Sequence, residues 1–342
     1  MPDRNDTGNA GPSGDARRVF VVGGTGTIGR ATVRALLRAG HDVTCFVRAR
    51  NDRAPAARGT SPAFPPEVTV RTGDVTSGDS IARDGFRGER FDAVVSCLAS
   101  RTGTPRDAWA IDHRAHLALL DAARQAGVGQ WVQLSAICVQ KPRLAFQHAK
   151  LAFEEALMHS GLTWSIVRPT AFFKSLSGQV QRVRDGRPYL MFGDGTLTRC
   201  TPISDDDVAR YLAECLVEAS RWNRILPIGG PGAAITPREQ GELLFALVGR
   251  PPRYSRVPLP FFRAIVATLG ALGRIIPPLA DKAEFARIGE YYATESMLVW
   301  DAAAGRYDAD ATPRVGHDTL RDHYERLLRG EVEDDRGEHA VF

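Results

Sequence analysis

The first half of the chain alternates short apolar runs with longer amphipathic stretches. Val19-Phe20-Val21-Val22 places four β-branched or aromatic residues in succession, the pattern of a buried strand. Gly23, Gly26 and Gly29 follow at every third position, and Ala31-Thr32-Val33-Arg34-Ala35-Leu36-Leu37 then reopens as a helix. Further strands read as Asp42-Val43-Thr44-Cys45-Phe46-Val47, Val68-Thr69-Val70 and Asp92-Ala93-Val94-Val95-Ser96-Cys97-Leu98. Across residues 106–127, Trp109, Ile111, Leu117, Leu120, Ala123 and Ala126 form much of one helical apolar stripe. Gln130-Trp131-Val132-Gln133-Leu134-Ser135 is a fifth strand, residues 144–155 a helix, and Thr163-Trp164-Ser165-Ile166-Val167-Arg168 a sixth strand closed by Pro169-Thr170. Strands that alternate with helices for this long predict an α/β fold with a doubly wound parallel Rossmann sheet, because crossovers between parallel strands are right-handed.

Beyond Ala171 the rhythm changes. Tyr189-Leu190-Met191-Phe192-Gly193-Asp194-Gly195 reads as a strand and turn, and Ile225-Leu226-Pro227-Ile228 as another strand. Ser204 ahead of Asp205-Asp206-Asp207 predicts a capped helix start, as does Thr236 ahead of Pro237. This divides the chain into a disordered lead-in (1–17), a nucleotide-binding Rossmann domain (18–175), a substrate lobe (176–330) and a flexible acidic tail (331–342). Residues 257–280 are the most apolar long stretch. A bilayer crossing takes ~20 apolar residues, and only those from 264 to 273 separate Arg263 from Arg274, so a transmembrane span is not expected. Three readings of the segment stay open: a lid over a greasy ligand, a helix on the lobe's own core, or a peripheral membrane contact with arginines at headgroup level.

Composition narrows the classes. A hydrophobic content of 43% is ample for a core, and a net charge of +4, spread along the chain, gives no reason to expect nucleic acid. Cys45, Cys97, Cys138, Cys200 and Cys215 are odd in number and include no CxxC pair, which reads as buried thiols in a reducing, cytoplasmic setting without a metal site. His113 and His116 lie three apart, but no cysteine or carboxylate partner for a metal is evident, so both are expected on a helix surface. Residues 1–17 lack the apolar core of a secretory signal and do not form a convincing transit peptide.

The glycine turn carries the chemistry. A strand, a tight turn and a helix N-terminus bring unpaired N–H groups and the positive end of a dipole to one point, which suits a pyrophosphate. At the carboxyl end of the second strand, where an acid would hold the ribose hydroxyl of NAD, Arg48 stands instead, with Arg50 and Arg53 near; a 2′-phosphate, hence NADPH, is expected. Asp74 and Val75 follow the third strand, Ala99 the fourth, and Ser135 ends the fifth, all where ligands collect in open parallel sheets.

Short-chain dehydrogenases usually place a Tyr-x-x-x-Lys pair on the helix after strand five, the tyrosine giving a proton to a carbonyl oxygen. The same spacing here reads Phe146-Gln147-His148-Ala149-Lys150. Either the site is inert and the fold senses nucleotide, or the reaction creates no localised oxyanion, as in reduction of an alkene conjugated to a large π system.

Several segments resemble the 3,8-divinyl (proto)chlorophyllide 8-vinyl reductase family of atypical, NmrA-like short-chain dehydrogenases. They are Val22-Gly23-Gly24-Thr25-Gly26-Thr27-Ile28-Gly29-Arg30, Val95-Ser96-Cys97-Leu98-Ala99-Ser100-Arg101, Asp107-Ala108-Trp109-Ala110-Ile111-Asp112, Leu134-Ser135-Ala136-Ile137-Cys138-Val139-Gln140-Lys141-Pro142 with Phe146-Gln147-His148-Ala149-Lys150-Leu151, Ile166-Val167-Arg168-Pro169-Thr170-Ala171-Phe172-Phe173-Lys174-Ser175-Leu176 and Met191-Phe192-Gly193-Asp194-Gly195. The resemblance implies NADPH as donor, a divinyl chlorophyllide as substrate and an 8-ethyl product in chlorophyll or bacteriochlorophyll synthesis; Phe146 matches the family's own pattern.

On that basis Gly23, Thr25, Gly26, Thr27 and Ile28 are expected around the pyrophosphate, Arg48 at the 2′-phosphate, and Asp74 and Val75 at the adenine. Ala99 and Ser135 are expected to line the cofactor crevice, Lys150 to hold the nicotinamide ribose, and Pro169, Thr170 and Phe172 to wall the nicotinamide. Phe146, Phe173 and Lys174 are expected at the macrocycle, Lys174 against a propionate, and His148 is a candidate proton source. Two rival readings remain at this point: a non-catalytic NADP-binding redox sensor, and a reductase of another conjugated alkene, similar to the isoflavone reductase-like enzymes.

Overall fold

The computed structural model describes residues 16–48, 64–273 and 277–332. Arg50, Arg53, the lead-in up to residue 15 and the tail beyond residue 332 lie outside the described residues. β1 (Arg18–Val22) sends alternate side chains to opposite faces, as a strand must. Val19 and Val21 pack into one core cluster with α1 (Thr27–Arg38), and Phe20 and Val22 into another. β2 (Asp42–Arg48), β3 (Thr69–Gly73) and β4 (Ala93–Ser96) follow, with α2 (Gly78–Ser80) and a π turn at Ile81–Phe86 between the last two.

The stretch read as one long helix is α3 (Pro105–Ala108), a π turn at Trp109–Ala115, and α4 (His116–Gln125). β5 (Gln130–Leu134), α5 (Ala145–Met158) and β6 (Thr163–Pro169) complete the expected alternation. α6 (Phe173–Leu176), α7 (Val180–Arg184), β7 (Tyr189–Phe192) and α8 (Asp205–Glu214) lead to β8 (Arg224–Ile228). The remainder is α9 (Pro237–Val248), β9 (Tyr254–Val257), α10 (Leu259–Gly273), α11 (Pro277–Thr294), β10 (Val299–Asp301), β11 (Arg306–Asp308) and α12 (Leu320–Arg329).

The main sheet has seven parallel strands in the order β3-β2-β1-β4-β5-β6-β8. Strand order reverses between β1 and β4, and the crevice outside their carboxyl ends is the ligand position of such sheets. β8 was expected in the lobe, but it pairs with β6 from Ser165↔Arg224 to Pro169↔Ile228 and extends the Rossmann sheet. An apolar run reports that a strand exists, not which sheet it joins. Both expected helix caps form: Ser204 Oγ accepts from the Asp207 amide at 2.9 Å, and Thr236 and Glu239 make a reciprocal capping box. β7 and β9 form a small parallel pair, and β10 and β11 an antiparallel one. Among the described residues no helix is long and apolar enough to cross a membrane.

Candidate active site

The N-cap of α1 is Gly26, which makes no side-chain cap, so the helix start presents its first N–H groups outward. Gly23 has φ +75°, and a Cβ there would lie 2.4 Å from the Cys97 carbonyl carbon; a Cβ at Gly29 would lie 2.1 Å from the Gly23 oxygen. Neither position can carry a side chain while α1 packs this closely on the turn. Above Gly26 a Cβ would meet only the Gly23 oxygen, at 3.6 Å. An uncapped helix start behind a bare turn fits a dinucleotide diphosphate. Thr25 is exposed beside it and Ile28 is buried beneath.

The Lys174 ammonium donates to the Thr27 hydroxyl and stands 3.9 Å from Asp205 Oδ2. Lys174 was expected at a propionate; the structure places it against Thr27 and Asp205, at the start of α1. Burial pushes the Asp205 carboxyl up, and the Lys174 charge opposes that shift. Arg48 ends β2 in register with Gly73, next to Asp74. The Thr76 hydroxyl and amide, at 2.7 and 2.8 Å, hold the Asp74 carboxyl below its ordinary range, with the Arg48 charge adding to the shift. The expected 2′-phosphate and adenine residues thus meet at the heads of β2 and β3, where Val75 is half-buried against the core. Phe64, which sequence reasoning missed in a Pro- and Ala-rich stretch, approaches to 3.6 Å of a Cβ placed on Gly24.

Lys150 reaches inward from α5 and donates to Asp112 Oδ1 at 3.0 Å. The Ser100 amide donates to the same oxygen at 3.2 Å, while Asp112 Oδ2 is buried with no hydrogen-bond partner. One carboxylate thereby fixes both the ammonium and the loop after β4, whose Ala99 is exposed at the crevice. Ser135 is committed elsewhere: its hydroxyl donates to Glu154 at 2.5 Å, and Glu154 also receives the Arg168 guanidinium. Pro169 and Thr170 are buried at the end of β6, Thr170 donating to the Thr201 carbonyl. Phe172 is half-buried, with the Lys174 ammonium 5.6 Å from its ring centre.

His116 corrects the expectation of a surface histidine. It is fully buried, with Nδ1 2.8 Å from the Ile111 carbonyl and Nε2 2.8 Å from Ser96 Oγ. The carbonyl can only accept, so Nδ1 carries the proton and Nε2 accepts from the serine. Burial pushes its pKa down to about 4, with the Lys150 charge adding to the effect. His113 instead packs edge-on against Trp109. No group of three His, Cys, Asp or Glu side chains among the described residues could hold a metal ion.

Phe146 is half-buried and faces α11. A Cβ on Gly103 would lie 3.1 Å from Ile288 Cδ1 and 3.5 Å from Phe146 Cδ1, so these three positions form one apolar contact. α11 is pinned there by Tyr291, whose hydroxyl lies 2.9 Å from the Cys138 carbonyl and 3.0 Å from that of Lys141. Glu295, just beyond the helix, receives Lys141, Arg143 and Tyr307 at 2.7–2.8 Å. At the other end of the hairpin, the Phe192 and Phe262 rings are 4.9 Å apart. α10 and α11 therefore bridge the Phe146 end of α5 and the β7 strand.

His148, in contrast, is exposed. Phe173 differs from its expected place at the macrocycle: it is 4% exposed within the lobe core, among Val183, Tyr189 and Tyr324. Its two sequence neighbours point elsewhere, and the sequence carries no period over so short a turn to tell them apart. Asp112, Glu154 and Ile288, like Phe64, are site residues that sequence reasoning left without a role. Asp112 alone carried a signal, as the charged end of the Asp107–Asp112 segment.

Comparison with known proteins agrees with this geometry. A family described as NAD(P)H-binding matches residues 23–219. A solved UDP-glucose 4-epimerase from Thermotoga maritima shares the fold, with a TM-score of 0.65 at 18% identity over 92% of this chain and 100% of that one. The chloroplastic divinyl chlorophyllide a 8-vinyl-reductase of Oryza sativa subsp. indica is 48% identical over 337 residues, 95% of this chain and 82% of that protein. Its Arabidopsis thaliana counterpart is 45% identical over 91% of this chain and 76% of its own length. Identity at this level across nearly the whole chain, on a fold with a diphosphate cradle and a phenylalanine in the tyrosine position, means that the chain belongs to the divinyl chlorophyllide a 8-vinyl-reductase family.

Proposed function

We propose that this protein reduces the 8-vinyl group of 3,8-divinyl chlorophyllide a, or of divinyl protochlorophyllide, to an ethyl group with NADPH, in chlorophyll or bacteriochlorophyll biosynthesis. The observation that carries this reading is the apolar contact of Phe146, Gly103 and Ile288 where a carbonyl reductase has its phenol. Bound NADPH supplies hydride. The uncapped start of α1 and the glycine turn hold the diphosphate, Arg48 recognises the 2′-phosphate, and Lys150, oriented by Asp112, holds the nicotinamide ribose. Pro169, Thr170 and Phe172 wall the crevice. Phe146 and Ile288 offer flat apolar surface to the macrocycle.

Hydride adds to the terminal vinyl carbon, and the electron pair of the double bond passes into the macrocycle, where charge is spread over many atoms. A proton then adds at the inner carbon, giving ethyl and NADP. No single oxygen becomes anionic, so no phenol is needed, and Ser135 is free to serve Glu154. The exposed position of His148 supports water as the proton source. The location we infer is cytoplasmic, with peripheral contact to the photosynthetic membrane through residues 257–280.

The test mixes purified protein, NADPH and divinyl chlorophyllide and follows the Soret band. A blue shift, as one vinyl group leaves conjugation, is expected. An unchanged spectrum from protein that still binds NADPH would overturn the reading in favour of a nucleotide sensor.

A further inference from the structure

α10 turns a row of large apolar side chains to solvent. Phe261, Ile265 and Leu272 are 62%, 39% and 42% exposed, and at 3.6 residues per turn they fall within a sector of ~40° on α10. On the opposite side of α10, Arg263, itself 61% exposed, pairs with Glu290 of α11 at 3.4 Å, and a Cβ on Gly270 would lie 3.1 Å from the Arg287 guanidinium. Val266 is the buried side chain of α10. Apolar residues thus occupy both sides of α10, with Phe262, Val266 and Leu269 wholly or partly covered and Phe261, Ile265 and Leu272 left to solvent, where water disfavours them. Phe285 on α11 adds another exposed ring, at 47%. Charge is equally one-sided. No Asp or Glu lies between Glu242 and Asp281, whereas Arg250, Arg253, Arg256, Arg263 and Arg274 all do.

We propose that the outer stripe of α10 is a docking surface for an anionic lipid bilayer. Phe261, Ile265 and Leu272 enter the headgroup–acyl boundary, and Arg253 and Arg256, exposed just ahead of α10, meet the lipid phosphates. This deepens the peripheral contact proposed above and rests on it. A second copy of the chain is the poorer occupant, because a two-fold contact through α10 would set Arg253 and Arg256 of one copy near those of the other, with no acid on α10 itself to offset them. A bilayer carrying negative charge satisfies both the apolar stripe and the arginines. The same hairpin then touches lipid on its outer face and Phe146 through Ile288.

The experiment is cosedimentation of the full chain with phosphatidylcholine vesicles, with and without phosphatidylglycerol. Binding to the anionic vesicles, weakened by salt, is expected. Replacing the stripe, as Phe261→Ser, Ile265→Ser and Leu272→Ser together, should cut that binding by at least about tenfold while leaving turnover of detergent-dispersed pigment unchanged. Arg253→Gln with Arg256→Gln should keep the stripe but lose preference for the anionic lipid. The proposal is overturned if the unaltered protein ignores anionic vesicles or the stripe variant binds as well as it. It also fails if sedimentation velocity finds a dimer that the stripe substitutions split. Vesicle binding without any change in the pigment spectrum would uphold the docking surface and remove the reductase reading.

Discussion

Lys150 and Asp112 define each other's position, because the carboxylate is buried and the ammonium supplies the charge it needs. Lys150→Ala should raise KM for NADPH by roughly 10- to 100-fold, as measured by initial rates at varied cofactor, since it removes one charge-assisted hydrogen bond. Asp112→Ala should cost about 3 kcal/mol in urea unfolding by leaving an unpaired buried cation, and Asp112→Ala with Lys150→Met should cost less than Asp112→Ala alone. Additive losses would contradict a coupled pair. His116 sets a pH dependence. Its pKa of about 4 lies below the ~6.5 of an exposed imidazole, so between those values the unfolded chain binds a proton that the folded chain refuses. Stability is therefore full above pH ~6.5 and falls, by roughly 3 kcal/mol, as pH drops toward 4. Urea melts across that window should show the slope, and His116→Gln, which does not titrate, should flatten it. Lys150 was legible because its spacing from position 146 is a sequence quantity. The inward turn of Asp112 and His116 was not, because a π turn shifts residues out of the 3.6-residue period that a sequence reading assumes.

At the level of elements, two contacts hold the site in shape. Gly29→Ala places a methyl group 2.1 Å from the Gly23 oxygen, so the turn must open, and NADP should no longer raise the melting temperature of whatever variant folds. Tyr291→Phe removes the donor shared by the Cys138 and Lys141 carbonyls and should cost about 1–2 kcal/mol. That loss should register as faster amide hydrogen exchange in α10 and α11, with the main sheet unchanged; uniform acceleration would argue against local docking. β1 and β4 could be read from the chain because buried parallel strands leave nearly unbroken apolar runs, β2, β3, β5 and β6 because β-branched and aromatic residues recur in them, and the α8 and α9 starts because Ser204 and Thr236 stand where caps must. The place of β8 was hidden by its distance in sequence from β6. The outward apolar face of α10 was hidden because hydrophobicity alone gives a helix no inside.

Across the whole molecule, a seven-stranded sheet supplies the nucleotide cradle, and chain from beyond that sheet supplies the apolar cover over Phe146. That division accounts for the missing phenol only if electrons move from the terminal vinyl carbon inward. Hydride at the terminal carbon leaves charge conjugated with the ring, whereas hydride at the inner carbon would strand it on a primary carbon that no group in the site stabilises. The most direct measurement is the position of deuterium in the ethyl product, read by nuclear magnetic resonance after turnover with nicotinamide-deuterated NADPH in ordinary water, and with ordinary NADPH in deuterated water. The account predicts cofactor deuterium in the methyl group and solvent deuterium in the methylene group. Cofactor deuterium in the methylene group would contradict it.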